Sequence, residues 1–323
     1  MTSSDISAAT ATITPLETGT SIGPIFHQPW WLEAVAPGRW GEAVVKNDGE
    51  VVARMPYIES RGRLGGRLLG SGPLTKYLGP YYKIKSEKTE KRLSKELVLF
   101  EELHNGLAPY AWLSQNFHFD QQNWYPATLQ GLKVEPQLTY LIDADVEESF
   151  IWDGLHERLR RNVRKAAKQV QLVMDDDIEE VNRLIKLTFE RQGRNAPVSD
   201  ALFIRLFEAA RARDQAATLL ARDEEGRNHA GLFIIWDDTT MYYLAGGGDP
   251  ELRQSGAMPM LLWESIRLSR LRNLKFDFEG SMVPAIEHFF RAFGGRQQSY
   301  FKISGGSMKY EAIKMLLGLR KGQ

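Results

Sequence analysis

The stretch ATLLARDEEGRNHAGLFIIWDDTTMYYLAGGGDPELRQSGAM, residues 217–258, decides the fold. Three apolar runs, Ala217 to Arg222, Ala230 to Trp236 and Met241 to Ala245, are separated by the polar turns Asp223 to Asn228 and Asp237 to Thr239. Short apolar runs bounded by turn residues read as strands, and turns this short join antiparallel neighbours. The meander runs into a loop, Gly246-Gly247-Gly248-Asp249-Pro250, and then a helix from Ser255 to Arg270. That helix is apolar nearly all round (Met258, Met260, Leu261, Leu262, Trp263, Ile266, Leu268), as a buried helix is. Strand Leu274 to Phe278, helix Val283 to Phe293 and strand Ser299 to Ile303 follow. This order is an α+β layout with a mixed sheet.

The start of the buried helix has its own chemistry. A helix N-terminus gathers unpaired N–H groups and about half a positive charge. Glycines let a phosphate approach the backbone, and an arginine adds a bidentate cation. Gly246, Gly247, Arg253, Gly256 and Ala257 therefore form a candidate pyrophosphate site. The same glycines also read as a plain turn.

Upstream, Gly41 to Val52 reads as two strands around Asn47-Asp48-Gly49, a type I′ hairpin signal. Glu87 to His104 has helical spacing, and Tyr110 to Leu113 and Gln137 to Ile142 read as strands. One charged helix is expected from Glu147 to Val170, followed by a strand to Met174 and helices Ile178 to Arg191 and Asp200 to Arg213, with Asp200 as N-cap. On the charged helix, Arg158, Arg161, Arg164, Lys165 and Lys168 share one arc, and Leu155, Leu159, Val163, Ala166 and Val170 share the opposite face. That arc is either a solvated face or a wall for acceptor phosphate, tRNA or CoA. No internal repeat is legible, although both halves share a style of meander, helix and strand.

Composition narrows the function classes. The 323 residues suit two domains, and Lys+Arg and Asp+Glu both number 41. A zero net charge disfavours a DNA-binding protein while leaving room for a local basic patch. There is no cysteine, which excludes disulfides, thiolate nucleophiles and Cys-ligated metal. The six histidines are scattered, so no metal site is expected. The segment 1–23 reads as a disordered tail without signal-peptide features, and no apolar run is long enough to span a membrane. A cytoplasmic protein is expected.

With these residues in view, the second half resembles the GNAT superfamily of acyl-CoA N-acyltransferases. The segments that carry the likeness are Tyr242 to Gly248, Arg253 to Ala257, Phe276 to Ser281 and Phe289 to Gly295. More narrowly, the chain is similar to the branch shared with the bacterial Fem-type peptidoglycan aminoacyltransferases. Leu159 to Ala166, Phe26 to Leu32 and the Gly72-Pro73 to Gly79-Pro80 loop match that branch. The resemblance implies two tandem GNAT-like domains, 24–145 and 146–323, each a mixed, mostly antiparallel sheet flanked by helices, with the acceptor in the cleft between them. It implies acyl-CoA or acetyl-CoA as co-substrate and a small-molecule, sugar-amine or peptidoglycan acceptor. Aminoacyl-tRNA as donor, or a non-catalytic binding protein of the same fold, are the alternatives. Met258 stands where the last small residue of the superfamily's phosphate loop belongs, and Phe290 where the branch's closing motif carries lysine.

Acyl transfer to an amine needs a proton acceptor, because the amine arrives protonated. Asp277 and Glu279, expected on one face of their strand, are candidates, and a structural role capping the next helix is the alternative. Tyr242 and Tyr243 precede the glycines; Tyr243 is the candidate to face a thioester and Tyr242 to pack in the core. Arg161, Lys165, Gln192, Ser281 and Arg291 are candidate substrate-binding residues.

Overall fold

The computed structural model describes residues 6–12, 22–62, 65–84, 88–307 and 310–312. The chain forms two compact units, Met1–Gln137 with Ser299–Gln323, and Leu138–Gln298. In chain order the first stretch contains β1 (Ile6–Thr12), α1 (Pro29–Val35), β2 (Trp40–Asn47), β3 (Glu50–Arg61), β4 (Arg67–Gly70), β5 (Tyr81–Tyr82), α2 (Thr89–Asn105), β6 (Trp112–Asn116) and α3 (Tyr125–Leu129). There follow β7 (Lys133–Ile142), α4 (Glu148–Gly154), α5 (Glu157–Ala166), β8 (Gln171–Val173), α6 (Ile178–Glu190), α7 (Asp200–Arg211), β9 (Ala216–Arg222), β10 (Asn228–Trp236) and β11 (Thr240–Gly248). Last come α8 (Ala257–Leu271), β12 (Lys275–Asp277), α9 (Pro284–Arg291) and β13 (Arg296–Gly306).

The fold is α+β, and the two units repeat one topology. In the first, β1 to β4 form an antiparallel meander, β4 lies parallel to β6, and β13 closes antiparallel to β6. In the second, β8 to β11 form the meander, β11 lies parallel to β12, and β7 closes antiparallel to β12. A helix, α2 or α8, makes each parallel crossover. The final strand, expected with the second domain, has its residues from Ser299 onward in the first unit, because Lys302 to Gly306 pair with Asn116 to Trp112. The second unit begins at Leu138, ahead of the expected 146, because Leu141 and Ile142 ladder with Asp277 and Phe276.

Local rules account for much of this. The β2–β3 hairpin turns through Asp48 (φ 50°) and Gly49 (φ 80°), the two positive angles that a type I′ turn needs. Part of the expected disordered tail is instead the strand Ile6–Thr12, paired with β2; residues 1–5 and 13–21 lie outside the described residues. An uncharged run of small and β-branched residues can add an edge strand through backbone bonds alone.

In the second unit the sheet is covered on both faces, so β10 is apolar from Ala230 to Trp236. Ala230, Leu232, Ile234 and Trp236 join the core beneath α5 and α8, while Phe233 meets Phe203 and Phe207 of α7 edge-on. Fully burying a Leu, Ile or Phe side chain contributes about 1.5–3 kcal/mol. The single charged helix expected from Glu147 to Val170 is two helices. Leu155 turns extended after α4, His156 gives its N–H to the Ala292 carbonyl (2.8 Å), and the His156 ring accepts the Arg158 N–H to start α5. Likewise α7 is capped by Ser199, one residue ahead of the expected Asp200.

Candidate active site

The site is built where β11 departs from regular pairing. Its register to β10 shifts so that Phe233 faces Ala245 while Ile234 faces Tyr243, leaving Leu244 as an extra, bulged residue. The side-chain alternation flips there. Met241 and Tyr243 point into the α8-side core, whereas Gly247, past the bulge, faces α6. The parallel ladder to β12 ends at Tyr242–Asp277, while β11 continues to Gly248. Beyond Tyr242 β11 runs on without a β12 partner, which leaves a gap in that ladder, and alternate peptide groups of β11 lie on that edge.

Next to the gap is the start of α8. Gly256 caps the helix at φ 83°, a left-handed conformation, and a Cβ there would come within 2.6 Å of the Asn162 carbonyl oxygen. Glycine is required on both counts. The backbone of α5 is thereby pressed against the turn, and Lys165 Nζ donates to the Gln254 carbonyl at 2.6 Å. Ser255 is buried and its Oγ accepts the Ala257 N–H at 3.3 Å. Arg253, Arg161 and Lys165 are exposed around this helix start. Leu155, Leu159, Val163, Ala166 and Val170 are all buried, and Arg158, Arg161, Arg164, Lys165 and Lys168 are all exposed, which is the segregation the sequence shows.

Gly246 and Gly247 have a different role from the one expected. They belong to strand β11, paired with Leu232 and Gly231, and are not a loop. A Cβ on Gly247 would lie 2.4 Å from the Leu184 carbonyl and 2.5 Å from the Ile185 nitrogen, so the backbone of α6 fills that face. A Cβ on Gly246 would meet the Tyr243 hydroxyl at 2.8 Å. These glycines admit a helix and a phenol; of the other candidate phosphate residues, Arg253 is exposed and Gly256 and Ala257 are buried. Thr188 of α6, which the sequence reading missed, ties the strand end down by accepting the Gly248 N–H at 3.0 Å.

The two candidate acids separate. Asp277 is fully buried, and its Oδ1 accepts the Thr139 hydroxyl at 2.5 Å and the Glu279 N–H at 2.9 Å. Glu279 lies past the end of β12 at φ 56° and is half-buried, so the two do not alternate along one strand face. Tyr242 is buried and donates to Asp237 at 3.0 Å. Tyr243 is half-buried and meets the Phe290 ring edge-on at 5.8 Å. Burial, and then the charge of Glu279, hold its phenol above the ordinary range, so Tyr243 stays protonated. Phe290, at the lysine position of the branch's motif, is a core aromatic against Tyr243 and Phe278.

Of the remaining candidates, Ser281 Oγ accepts the Val283 N–H just ahead of α9. Arg291 is exposed and pairs with Glu287 at 3.4 Å and with the His288 ring at 3.2 Å. Glu287 in turn accepts the Tyr140 hydroxyl at 2.6 Å; burial and this carboxylate push the Tyr140 phenol up to about 12. Gln192 is exposed beyond the end of α6. Among the described residues, no group of three or more His, Cys, Asp or Glu is arranged to hold a metal, and no helix is long and apolar enough to cross a membrane.

Residues 155–291, all within the second unit, match the family model described as the acetyltransferase (GNAT) domain. Three solved structures are similar over most of their length. The crystal structure of FemX has a TM-score of 0.65 at 14% identity, covering 89% of this chain and 92% of that one. A conserved protein of unknown function from Bacteroides thetaiotaomicron VPI-5482 has a TM-score of 0.54 at 10% identity, covering 86% and 89%. L-PGS from Bacillus licheniformis has a TM-score of 0.52 at 11% identity, covering 91% and 92%. No curated protein sequence matches the chain. At these identities the likeness carries the fold, and the family match carries the acyltransferase class.

Proposed function

We propose, from the premise that residues 155–291 are a GNAT domain and the chain an acyltransferase, that the second unit transfers an acyl group from acyl-CoA to an amine. The carrying observation is the parting of β11 from β12 after Tyr242–Asp277, with the Leu244 bulge at its mouth and the Gly256 turn beside it. A thioester fits such a gap because peptide N–H groups on that edge of β11, near Leu244, can stabilise a developing oxyanion. The start of α8, with Arg253, Lys165 and Arg161 around it, suits the diphosphate of CoA. Met258, half-buried, packs against the core in the position expected to be small.

Glu279 accepts the proton of the incoming ammonium. The freed amine attacks the thioester carbon, a C–N bond forms, the C–S bond breaks, and CoA leaves as a thiolate that takes up the second proton, shed by the nitrogen as the amide forms. Tyr243, protonated throughout, is the hydroxyl that hydrogen-bonds the leaving sulfur. No covalent intermediate on the protein is needed, and the chain contributes mainly positioning. Sugar amines, peptidoglycan peptide amines and small-molecule amines are the acceptor classes to try.

Calorimetric titration with CoA and acetyl-CoA tests the donor site, with Arg253→Glu as the control. Saturable binding that weakens in the variant is expected; no binding to the wild type overturns the reading. One observation favours a second donor, aminoacyl-tRNA: the unbroken row of exposed cations on α5, with Arg164 stacked at 5.4 Å over Trp152. Steeply salt-dependent tRNA binding in the absence of CoA binding selects it.

A further inference from the structure

We infer that Asp277 is a positioning residue that holds Glu279 at the gap, and is not itself a proton acceptor. The inference rests on the acyltransferase reading for its consequence, and on the geometry of the Asp277–Gly280 turn for its substance. Asp277 ends β12 with no exposed surface, so no acceptor amine reaches it. Its Oδ1 is engaged by two donors, the Thr139 hydroxyl and the Glu279 N–H. The second bond closes a tight turn over a residue that pays for its conformation. Glu279 is left-handed, at φ 56°, and that region is unfavourable for any residue with a Cβ.

Gly280 follows at φ 53°, and a Cβ on it would lie 2.0 Å from the Leu138 carbonyl oxygen and 2.6 Å from Thr139 Cα. The turn is thus wedged against β7 on one side and pinned by Asp277 from beneath. Phe278 gives its N–H to the Tyr140 carbonyl at 3.2 Å, so both ends of the turn are fixed. The direction in which the Glu279 carboxylate leaves the backbone is set by this left-handed turn. Its charge is felt by the Tyr243 phenol, whose hydroxyl lies over Gly246. Releasing Asp277 lets Glu279 relax to a right-handed or extended conformation and changes the direction of its carboxylate.

An asparagine at 277 separates the two roles, because its amide oxygen still accepts both bonds but takes up no proton. The readout is the carbon-13 signal of the Tyr243 Cζ in tyrosine-labelled apo protein, followed from neutral pH into the acid range. Ionisation of Glu279 beside the ring gives a step in that signal. The step is expected in the wild type and in Asp277→Asn, and absent in Glu279→Gln and Asp277→Ala. A step that persists in Asp277→Ala overturns the inference.

A second measurement covers the case in which Asp277→Ala does not fold. In acetyl transfer from acetyl-CoA to glucosamine, Glu279→Gln should lose about 10²–10⁴-fold in kcat, whereas Asp277→Asn stays within about tenfold of wild type with an unshifted acid limb. An Asp277→Asn enzyme as slow as Glu279→Gln makes Asp277 the proton acceptor and overturns the inference. The acid titration needs no substrate. If the Tyr243 step behaves as stated and no acetyl transfer is found, the acyltransferase reading fails and the positioning of Glu279 stands.

Discussion

The two units share a topology and differ at one joint. In the first, β3 and β4 keep an unbroken register from Ile58–Gly70 to Arg61–Arg67, and β4 stops at Gly70, the residue that also ends its ladder to β6. In the second, β11 bulges at Leu244 and runs on after its ladder to β12 has ended. The routes onward differ too. From β4 the chain passes through β5 before α2, whose N-cap is Lys88 in an extended conformation. From β11 it passes through one 3-10 turn, Arg253–Ser255, and enters α8 at left-handed Gly256. The first unit packs Phe26 edge-on against Trp31 and Tyr77 and buries the ion pair Arg54–Glu42 at 2.5 Å. One extra residue in one strand separates a closed sheet from a sheet with a gap. On the proposed function, topology supplies two places for a site and the bulge selects one of them.

The starts of the two crossover helices give the largest contrast to test. Arg253→Glu, beside α8, should weaken CoA binding about 10–100-fold, the loss of one charge-assisted contact to phosphate. Lys91→Glu, in the first turn of α2, should leave the same calorimetric titration unchanged. Equal losses in both variants would mean that the cations act through overall charge, and the distinction between the units would fall.

The glycines at the strand ends come next. Gly247→Ala forces a Cβ against the backbone of α6 at 2.4 Å, which no side-chain rotation relieves. Overpacking of this kind costs about 1–3 kcal/mol or more. Gly70→Ala, at the end of β4, meets only the Ser114 carbonyl oxygen at 3.2 Å and should cost less than half as much. Thermal melts of the two variants rank them. Equal losses would show that α6 yields to Gly247→Ala, and that the close approach is not what fixes the end of β11.

What the sequence disclosed, and what it hid, follows the range of the interactions. The β9 to β11 meander was legible because its turns are short and polar, and the buried and exposed faces of α5 because helical period alone sorts them. The triple glycine misled. Glycine reads as loop, yet here it makes room for the backbone of α6, a contact made sixty-odd residues upstream that leaves no local signal. The break between α4 and α5 hid for the same reason, since the Ala292 carbonyl that receives the His156 N–H arrives from the far end of the domain. The candidate acids Asp277 and Glu279 were picked out by residue type and place. Their separation, one buried and one half-buried past the strand end, was not legible, because it depends on Thr139, 138 residues away, and on a left-handed turn that periodicity does not report. The duplication was legible only as a style, because β7 and β13 close each other's expected sheets out of sequence order.

The smallest predicted effect separates the units by pH. In the first unit His27 is buried, and neither ring nitrogen has a hydrogen-bond partner among the described residues. Burial, and then the charges of Arg54 and His118, hold its pKa well below the ordinary histidine value. The unfolded chain takes up this proton as the pH falls through about 6.5, and the folded chain does not. Stability contributed by the neutral ring is therefore complete above that pH and declines below it, until the folded pKa is reached. In the second unit the sign belongs to a carboxylate. Burial works against ionised Asp223, but bonds from His229 and Arg227 outweigh it and hold its pKa below the carboxylate range. Its contribution is present above about pH 4 and is lost only as the pH falls further. Thermal melts from pH 7.5 to 5 should therefore show a falling Tm governed by the first unit. His27→Gln, which cannot take up the proton, should flatten that slope, whereas Asp223→Asn should lower the Tm throughout without changing it. A slope that survives His27→Gln would place the acid sensitivity elsewhere and remove this difference between the units.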